Sequence, residues 1–330
     1  MSDSLLPYAV GAVKRARTLA VRARRKVERM NTVPALGTGI RSRPMITPVH
    51  LSVLGGRTLN LAVPVSRHTA DPSAARLELI HGNHRVSVDL ALEPESDTSL
   101  LLTATVPLRY TEGENDTGRG LLLSAGLWRF CVVVTDEGGR ETRSDLTALA
   151  FAAVNGPMLP TSPSESSGAV FRPVRSVDGR AMLKVTAPAH QAELVRFDLL
   201  WDRVTVHGRL LAARHPVTEY TAEVVRRGAN KSVPAALDWD GDSFTFDLPL
   251  RAMTDGPGVQ RTWDVQLRGG RAKLKLAKRL TQVRHPKQVF RTPFRIIALD
   301  DGSLTRAHVY LTPAGALAVA CAAIGTNEDA

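Results

Sequence analysis

Three aspartates in the segment DWDGDSF have the spacing of a metal-binding loop. Asp238, Asp240 and Asp242 alternate around Gly241, and carboxylates spaced in this way can hold calcium or a metal-bound nucleotide. The glutamate that closes a helix-loop-helix calcium site is absent from the sequence, and Asp-Gly between two apolar runs is a hairpin signal. We therefore predict a turn here and no metal site.

The other residues able to do chemistry are dispersed along the chain. His81 and His84 flank a Gly-Asn pair, and two histidines without a third ligand do not define a stable zinc site. Cys131 and Cys321 lie far apart in apolar runs, which predicts two buried free thiols. No G-x-S-x-G motif and no glycine-rich phosphate loop is present. The sequence predicts no catalytic residue, no cofactor and no metal.

A strongly basic segment lies near the C-terminus. Arg268 to Arg295 contains ten Lys and Arg residues and no acidic residue. Within it, basic and apolar residues alternate in RGGRAKLKLAKRL, which predicts a strand with one cationic and one buried face. The face is either merely solvated or a contact surface for a phosphate-bearing polymer. The candidate polymer contacts are Arg271, Lys273, Lys275, Lys278 and Arg279.

Nucleic acid is the less favoured polymer for this segment. Base stacking requires aromatic side chains, and Phe290 and Phe294 are the aromatic residues near the cationic strand.

A second basic segment begins the chain. Residues 1–45 hold ten basic and two acidic residues, a net charge of +8 out of the chain's +11. Ser4 to Met30 is rich in good helix formers with apolar residues at helical spacing, which predicts a basic amphipathic helix. Such a helix binds an anionic membrane surface or packs against a protein partner. Its candidate contact residues are Lys14, Arg15, Arg22, Arg25, Lys26 and Arg29.

The elements that must position these residues are strands. After residue 45 the apolar period becomes two, and short runs are broken by Gly-Asn, Glu-Pro and Gly-Gly turn signals, a pattern typical of antiparallel sandwiches. We predict an all-β protein with two tandem immunoglobulin-like antiparallel β-sandwiches preceded by the N-terminal basic amphipathic helix. The predicted segments are 1–45, helix and linker; 46–155, first sandwich; 156–168, Pro/Ser/Gly linker; and 169–330, second sandwich with a C-terminal hairpin.

The chain also repeats itself. A glutamate, a Pro-Leu-Arg triplet and a tryptophan recur in the same order. The glutamate and the proline are 29 residues apart in the first copy and 26 in the second, and the proline and the tryptophan are 21 and 14 residues apart. The length differences fall in turns, as expected for two copies of one supersecondary unit. The repeat pairs Glu78 with Glu223 and Trp128 with Trp263, and we predict that both tryptophans anchor a core between sheets.

Three stretches resemble a known class of module. RTWDVQLRGGRAKLKLAKRL, VRHPKQVF and VYLTPAGALAV resemble immunoglobulin-like β-sandwich modules associated with glycosyltransferase and CDP-glycerol:glycerophosphate transferase domains in actinomycete proteins. The last stretch is similar to the Tyr-x-Thr-x-x-Gly-x-Leu hairpin of those modules, and the likeness covers roughly half of the chain. The matching residues are Tyr310, Thr312, Gly315 and Leu317.

This resemblance implies work on cell-wall glycopolymers at the inner membrane face. After two sandwiches and a helix, no length remains for a doubly wound nucleotide-sugar domain. We therefore expect a non-catalytic accessory protein that binds an anionic glycopolymer or a partner glycosyltransferase, and a transferase in its own right is the alternative. No signal-peptide pattern and no apolar run of membrane-spanning length occurs, so the expected location is cytoplasmic, peripheral on the inner membrane face.

Overall fold

The computed structural model describes residues 32–33, 43–66, 72–110, 119–149, 158–159, 161–255 and 257–325. These residues form mostly strands, which confirms the all-β class. The predicted N-terminal helix and its six basic contact residues lie outside the described residues. No helix in the described ranges has the length and apolar character needed to span a membrane.

The chain forms two compact units. The first unit comprises residues 1–155 and 170–187, and the second comprises residues 156–169 and 188–330. The strands of the first unit are β1 Thr32–Val33, β2 Met45–Ile46, β3 His50–Leu54, β4 Thr58–Ser66, β5 Pro72–His81, β6 His84–Asp89, β7 Ala91–Ser96, β8 Ser99–Tyr110, β9 Leu121–Leu123, β10 Gly126–Asp136, β11 Glu141–Leu146, β12 Val170–Ser176 and β13 Ala181–Thr186.

The second unit contains eleven described strands and two one-turn α-helices. The strands are β14 Gln191–Leu199, β15 Val204–Leu211, β16 Tyr220–Arg226, β17 Ser232–Ala235, β18 Asp238–Asp240, β19 Ser243–Asp247, β20 Arg261–Gly269, β21 Ala272–Lys275, β22 Arg295–Ala298, β23 Leu304–Leu311 and β24 Leu317–Ile324. The helices are α1 Leu250–Met253 and α2 Pro286–Val289, and a 3-10 turn spans Val217–Glu219.

Each unit has two sheets. In the first unit, β3-β4-β8-β7 form one sheet, and the other is built around β10, which pairs with β5, β11 and β13. In the second unit, β14-β15-β19-β18 form one sheet and β17-β16-β20-β24-β23-β22 the other. Apolar side chains from both sheets of the second unit join one buried cluster. Alternating strand sequences produce this arrangement because every second side chain points into the core.

The repeat seen in the sequence is confirmed in the strand registers. Glu78 lies opposite Cys131, three residues after Trp128, and Glu223 lies opposite Gln266, three residues after Trp263. Both glutamates are buried. The two units therefore contain the same strand pair in the same register.

The two tryptophans are core residues, as predicted. Trp128 is 2% exposed and Trp263 is fully buried. The Trp128 Nε1–H donates to the Ser124 carbonyl oxygen at 2.9 Å, and the Trp263 Nε1–H donates to the Met253 carbonyl oxygen at 3.0 Å. Each indole thus satisfies its polar atom while its ring fills the interior.

The repeat extends to a closing hairpin in each unit, and this corrects the predicted domain boundary. β12 and β13 were expected to open the second sandwich, but β13 pairs with β10 of the first unit and sets Leu183 opposite Trp128. In the second unit, β23 and β24 pair in the same way, with Val319 opposite Trp263. The predicted boundary therefore lies one hairpin too early. The alternating pattern of a hairpin predicts its two strands but does not indicate which third strand they pair with.

The segment predicted as a linker belongs to the second unit. Ser162 and Ser164 are buried, the Ser164 N–H donates to the Ala169 carbonyl oxygen at 2.7 Å, and the Arg209 guanidinium donates to the Glu165 carbonyl oxygen at 2.7 Å. Its polar composition suggested that it could not pack. Turn hydrogen bonds satisfy these polar groups and allow burial.

The two closing hairpins use the same turn. Ser176 Oγ accepts from the Arg180 N–H at 3.0 Å, and Thr312 Oγ1 accepts from the Ala316 N–H at 3.1 Å. The third turn residue is Gly179 in one case and Gly315 in the other, with φ of 87° and 78°. These φ values favour glycine because other residues are strained there.

We expect Ser176→Ala to destabilise the first unit modestly. The substitution removes the acceptor for the Arg180 N–H, and a lost hydrogen bond of this kind costs about 0.5–1.5 kcal/mol. Urea unfolding followed by far-UV circular dichroism measures the change. Ser73→Ala removes an exposed hydroxyl of the same unit that donates to the Thr135 and Asp136 carbonyl oxygens. Because water can replace these exposed bonds, this change should cost less, and an equal effect of both changes would show that the turn contributes nothing specific.

Candidate polymer-binding face

The residues that resembled metal ligands form turns. β18 and β19 pair up to Asp240 and Ser243, with Gly241 at a φ of 61° in the connection, which confirms the predicted hairpin. His81 and His84 lie opposite each other across the β5–β6 turn. Among the described residues, no group of three His, Cys, Asp or Glu side chains could hold a metal ion.

Both cysteines are buried free thiols, as predicted. Burial raises the pKa of the Cys321 thiol to about 11 and also raises the pKa of the Cys131 thiol. Since the thiolate is the reactive form, neither side chain is suited to nucleophilic chemistry near neutral pH.

The predicted cationic strand lies in a hairpin of the second unit. β20 and β21 are antiparallel, with Gln266 opposite Lys275 and Arg268 opposite Lys273. Lys273 and Lys275 are exposed, whereas Leu274 packs against the core. The alternation therefore presents the lysines on the outward face of the sheet.

Two like charges face each other on this hairpin. Arg268 and Lys273 are directly opposite and exposed, and Arg271 is exposed at the turn between their strands. Within the described part of the chain, no carboxylate lies within 4.0 Å of the Arg268 or Lys273 side-chain nitrogens. Opposed like charges destabilise a strand pair, so this end of the sheet holds positive charge that an external anion would neutralise.

Lys278 and Arg279, the other two predicted contacts, are engaged within the second unit. Lys278 Nζ donates to the Val195 carbonyl oxygen at 3.1 Å and lies 5.7 Å from the centre of the Phe290 ring. The Arg279 backbone N–H donates to the Glu193 carboxylate at 2.9 Å. Lys278 is therefore less available to a ligand than the lysines on the strand, whereas the Arg279 side chain is exposed and donates to Gln191 Oε1 at 3.4 Å.

A row of aromatic rings occupies the outward face of the same sheet on β23. The Tyr310 and His308 rings stack with their centres 5.0 Å apart, and the Phe294 ring centre is 4.5 Å from that of His308. The Arg306 guanidinium lies 4.1 Å from the centre of the Phe294 ring. At the paired positions on β24 the side chains are the methyl groups of Ala318, Ala320 and Ala322.

Asp264 connects the cationic hairpin to the aromatic row. Its carboxylate is 3.8 Å from Lys275 Nζ and accepts a hydrogen bond from the Arg227 guanidinium. The pKa of Arg227 is raised, mainly by the hydrogen bond to Asp264. One carboxylate is therefore shared by two cations, and the resulting chain of contacts carries net positive charge. Asp264 and Tyr310 both lie opposite Ala318, on β20 and β23 respectively, so they occupy one row across the sheet. We call this surface the cationic face. It comprises Arg268, Arg271, Lys273, Lys275, Asp264, Arg227, Tyr310, His308 and Phe294.

A cleft of about 500 Å³ opens beside the aromatic row. Its wall is formed by α2 and the residues after it, which the Thr292 hydroxyl ties to β23 by donating to the Val309 carbonyl oxygen. The lining residues are Lys287, Gln288, Phe290, Arg291, Thr292, His308 and Tyr310. They comprise two cations, three rings and no carboxylate.

Another cleft of the second unit, about 630 Å³, has the opposite character. Asp202, Asp247, Asp300 and Asp301 line it, and Arg251 Nε is 3.2 Å from the Asp301 carboxylate. Arg203 also lines it, so four carboxylates face two guanidinium groups and the lining carries net negative charge.

The aromatic row is the part of the site that the sequence analysis missed. In the sequence, Tyr310 belongs to the hairpin motif and His308 is one of nine dispersed histidines. The signal was present in RAHVYL, where Arg306, His308 and Tyr310 alternate with apolar residues and must therefore share one strand face.

Comparisons with known proteins find remote structural similarity to this chain. No family model matches it, and no curated protein matches it. Among solved structures, S. aureus TarS, a teichoic acid glycosyltransferase, is similar with a TM-score of 0.29 and 10% identity over 63% of this chain and 36% of TarS. Its segment 217–571 gives a TM-score of 0.30 and 10% identity over 73% of this chain and 66% of that segment.

A putative membrane-anchored protein from Corynebacterium diphtheriae gives a TM-score of 0.25 and 10% identity over 80% of this chain and 62% of that one. The chain thus spans between about a third and two thirds of the length of these structures. Similarity this remote assigns neither an activity nor a ligand.

Proposed function

We propose that the protein is a non-catalytic module that binds an anionic glycopolymer along the cationic face of its second unit. The observation that carries the proposal is the continuity of this face: opposed exposed cations on β20 and β21 lead through Asp264 and Arg227 to the stacked rings of β23. A polymer with both anionic groups and sugar rings is complementary to both parts.

The strand order supports an immunoglobulin-like assignment for both units. In the first unit, β3-β4-β8-β7 and β5-β10-β11 follow the order of the two sheets in an immunoglobulin constant domain. The sheet around β10 additionally contains β6, the closing hairpin β12-β13, and the short strands β1 and β2. Such a fold hosts many unrelated functions, so the residues of the face, and not the fold, indicate what the protein binds.

The opposed pair supports an anionic partner on energetic grounds. Arg268 opposite Lys273 lowers the stability of the hairpin in the free protein. A phosphate or carboxylate placed between them would remove the repulsion and add charge-assisted hydrogen bonds. Relief of the Arg268–Lys273 repulsion therefore contributes to the free energy of binding.

The test is binding of the full chain to poly(glycerol phosphate) carrying glucose, with neutral dextran and oligo(dT) as comparison polymers. We expect binding to the charged glycopolymer, none to dextran, and an affinity that falls steadily as salt rises, because bound counterions are released. Tighter binding to oligo(dT) than to the glycopolymer would favour nucleic acid instead.

We expect Lys273→Glu to lower the affinity for this polymer about tenfold at low salt. The same change should leave the free energy of unfolding unchanged or raise it, because the new carboxylate would face Arg268. Lys184→Glu on β13 is the matched control, since Lys184 is also an exposed strand lysine. Isothermal titration calorimetry and urea unfolding measure the two quantities, and equal affinity of Lys273→Glu and the unaltered protein would overturn the proposal.

The predicted roles of residues 1–45 remain proposals. A basic amphipathic helix there would tether the module to an anionic membrane surface or to a partner glycosyltransferase, at the inner membrane face where cell-wall glycopolymers are made. The net charge of +8 in this segment supports attachment to acidic lipid.

A further inference from the structure

We infer that the 500 Å³ cleft beside β23 is a subsite for one hexose ring that carries a phosphate or carboxylate. This inference rests on the proposed function and specifies which part of the polymer the protein recognises. The cationic hairpin would bind backbone charge, and the cleft would bind the sugar.

The rings form a prearranged stacking surface. His308 and Tyr310 are stacked on each other with planes 27° apart, and the Phe294 ring centre lies 4.5 Å from that of His308. Phe290, beneath Lys278, completes the aromatic lining. Both His308 and Tyr310 remain partly exposed, so the C–H face of a sugar ring can contact rings that are already ordered and lose little entropy on binding.

The polar groups suit an anionic sugar. Lys287 and Arg291 are exposed at the cleft, and an arginine fork binds phosphate or carboxylate oxygens in a bidentate manner. Gln288 adds an amide that can hydrogen-bond sugar hydroxyls. The lining includes no carboxylate, so no negatively charged side chain repels an anionic group there.

The size of the cleft matches a small ligand. Binding clefts for small molecules span about 300–1,000 Å³, and this cleft lies at the lower middle of that range. Tyr310 lines the cleft and lies opposite Ala318, which also lies opposite Asp264. Because the Asp264 carboxylate is 3.8 Å from Lys275 Nζ, the cleft is continuous with the cationic face. A sugar substituent can enter it while the polymer backbone stays on β20 and β21.

The experiment titrates the full chain with glucose 6-phosphate, glucose and inorganic phosphate. We expect glucose 6-phosphate to bind at least about tenfold more tightly than either of the others, because only it engages rings and cations together. Chemical-shift perturbation in ¹H–¹⁵N spectra should map to residues 287–292 and 308–310.

Two pairs of variants test the contribution of the aromatic ring and that of the cation separately. His308→Leu should weaken glucose 6-phosphate binding about tenfold, whereas His308→Phe, which keeps an aromatic ring, should restore it. Arg291→Gln should abolish the preference for glucose 6-phosphate over glucose, and Lys184→Gln in the first unit should not.

The outcomes distinguish this inference from the proposed function. If the glucosylated polymer binds with a steep salt dependence but glucose 6-phosphate and inorganic phosphate bind equally, the subsite is wrong and the polymer face stands. If glucose 6-phosphate binds in the cleft but the polymer does not bind, the subsite stands and the polymer function is wrong. Equal affinities of His308→Leu and His308→Phe would also overturn the stacking role.

Discussion

Replacing Trp263 by Ala is expected to lower the free energy of unfolding of the second unit by about 3–5 kcal/mol, the usual cost of deleting a large buried aromatic side chain. Trp263 is fully buried, and its Nε1–H donates to the Met253 carbonyl oxygen. The substitution would leave a cavity between the sheets, and the Met253 carbonyl oxygen would keep only the weak Cys321 thiol donor at 3.5 Å. Urea unfolding combined with amide hydrogen exchange on β16 and β20 measures the loss.

Trp201 provides the matched control for this prediction. It is the same residue type in the same unit but is 77% exposed, so Trp201→Ala should change stability by less than about 0.5 kcal/mol. Trp128→Ala should act like Trp263→Ala, but in the first unit. A Trp263→Ala protein as stable as Trp201→Ala would mean that the indole is not a core anchor.

Leu183→Asp is expected to unfold the first unit and leave the second unit protected. Leu183 is fully buried opposite Trp128, and an unpaired charge at such a position costs more than about 4 kcal/mol. Hydrogen-exchange mass spectrometry on the full chain should show loss of protection in β5 and β10, with β16 and β20 unchanged.

This result would decide between the two domain boundaries. The sequence-based boundary assigns Leu183 to the second sandwich, and on that assignment the same substitution would remove protection from β16 and β20 instead. Val319→Asp on β24 is the counterpart, since Val319 is fully buried opposite Trp263. It should unfold the second unit and spare the first, and identical exchange patterns for both variants would contradict the division into these units.

The cationic face could be predicted only in part. The alternation of Lys273 and Lys275 with apolar residues was sufficient to place both lysines outward, because a strand of period two separates its faces without reference to the rest of the fold. The contacts of Lys278 and Arg279 with Val195 and Glu193 were not predictable, since they join residues more than 80 positions apart.

What the sequence by itself determined is the local pattern: the all-β class, the buried thiols, the outward lysines, and the repeat that marks Trp128 and Trp263 as equivalent core residues. What the tertiary structure decided is which strands lie side by side. It joined β13 to β10 across the segment at 156–169, and it set Tyr310 and Asp264 on either side of Ala318. The physical reason is that alternation specifies which side of a strand is buried, whereas backbone hydrogen bonds at a strand edge are the same for every partner. The neighbour of each strand, and with it the composition of the cationic face, follows from packing the whole core.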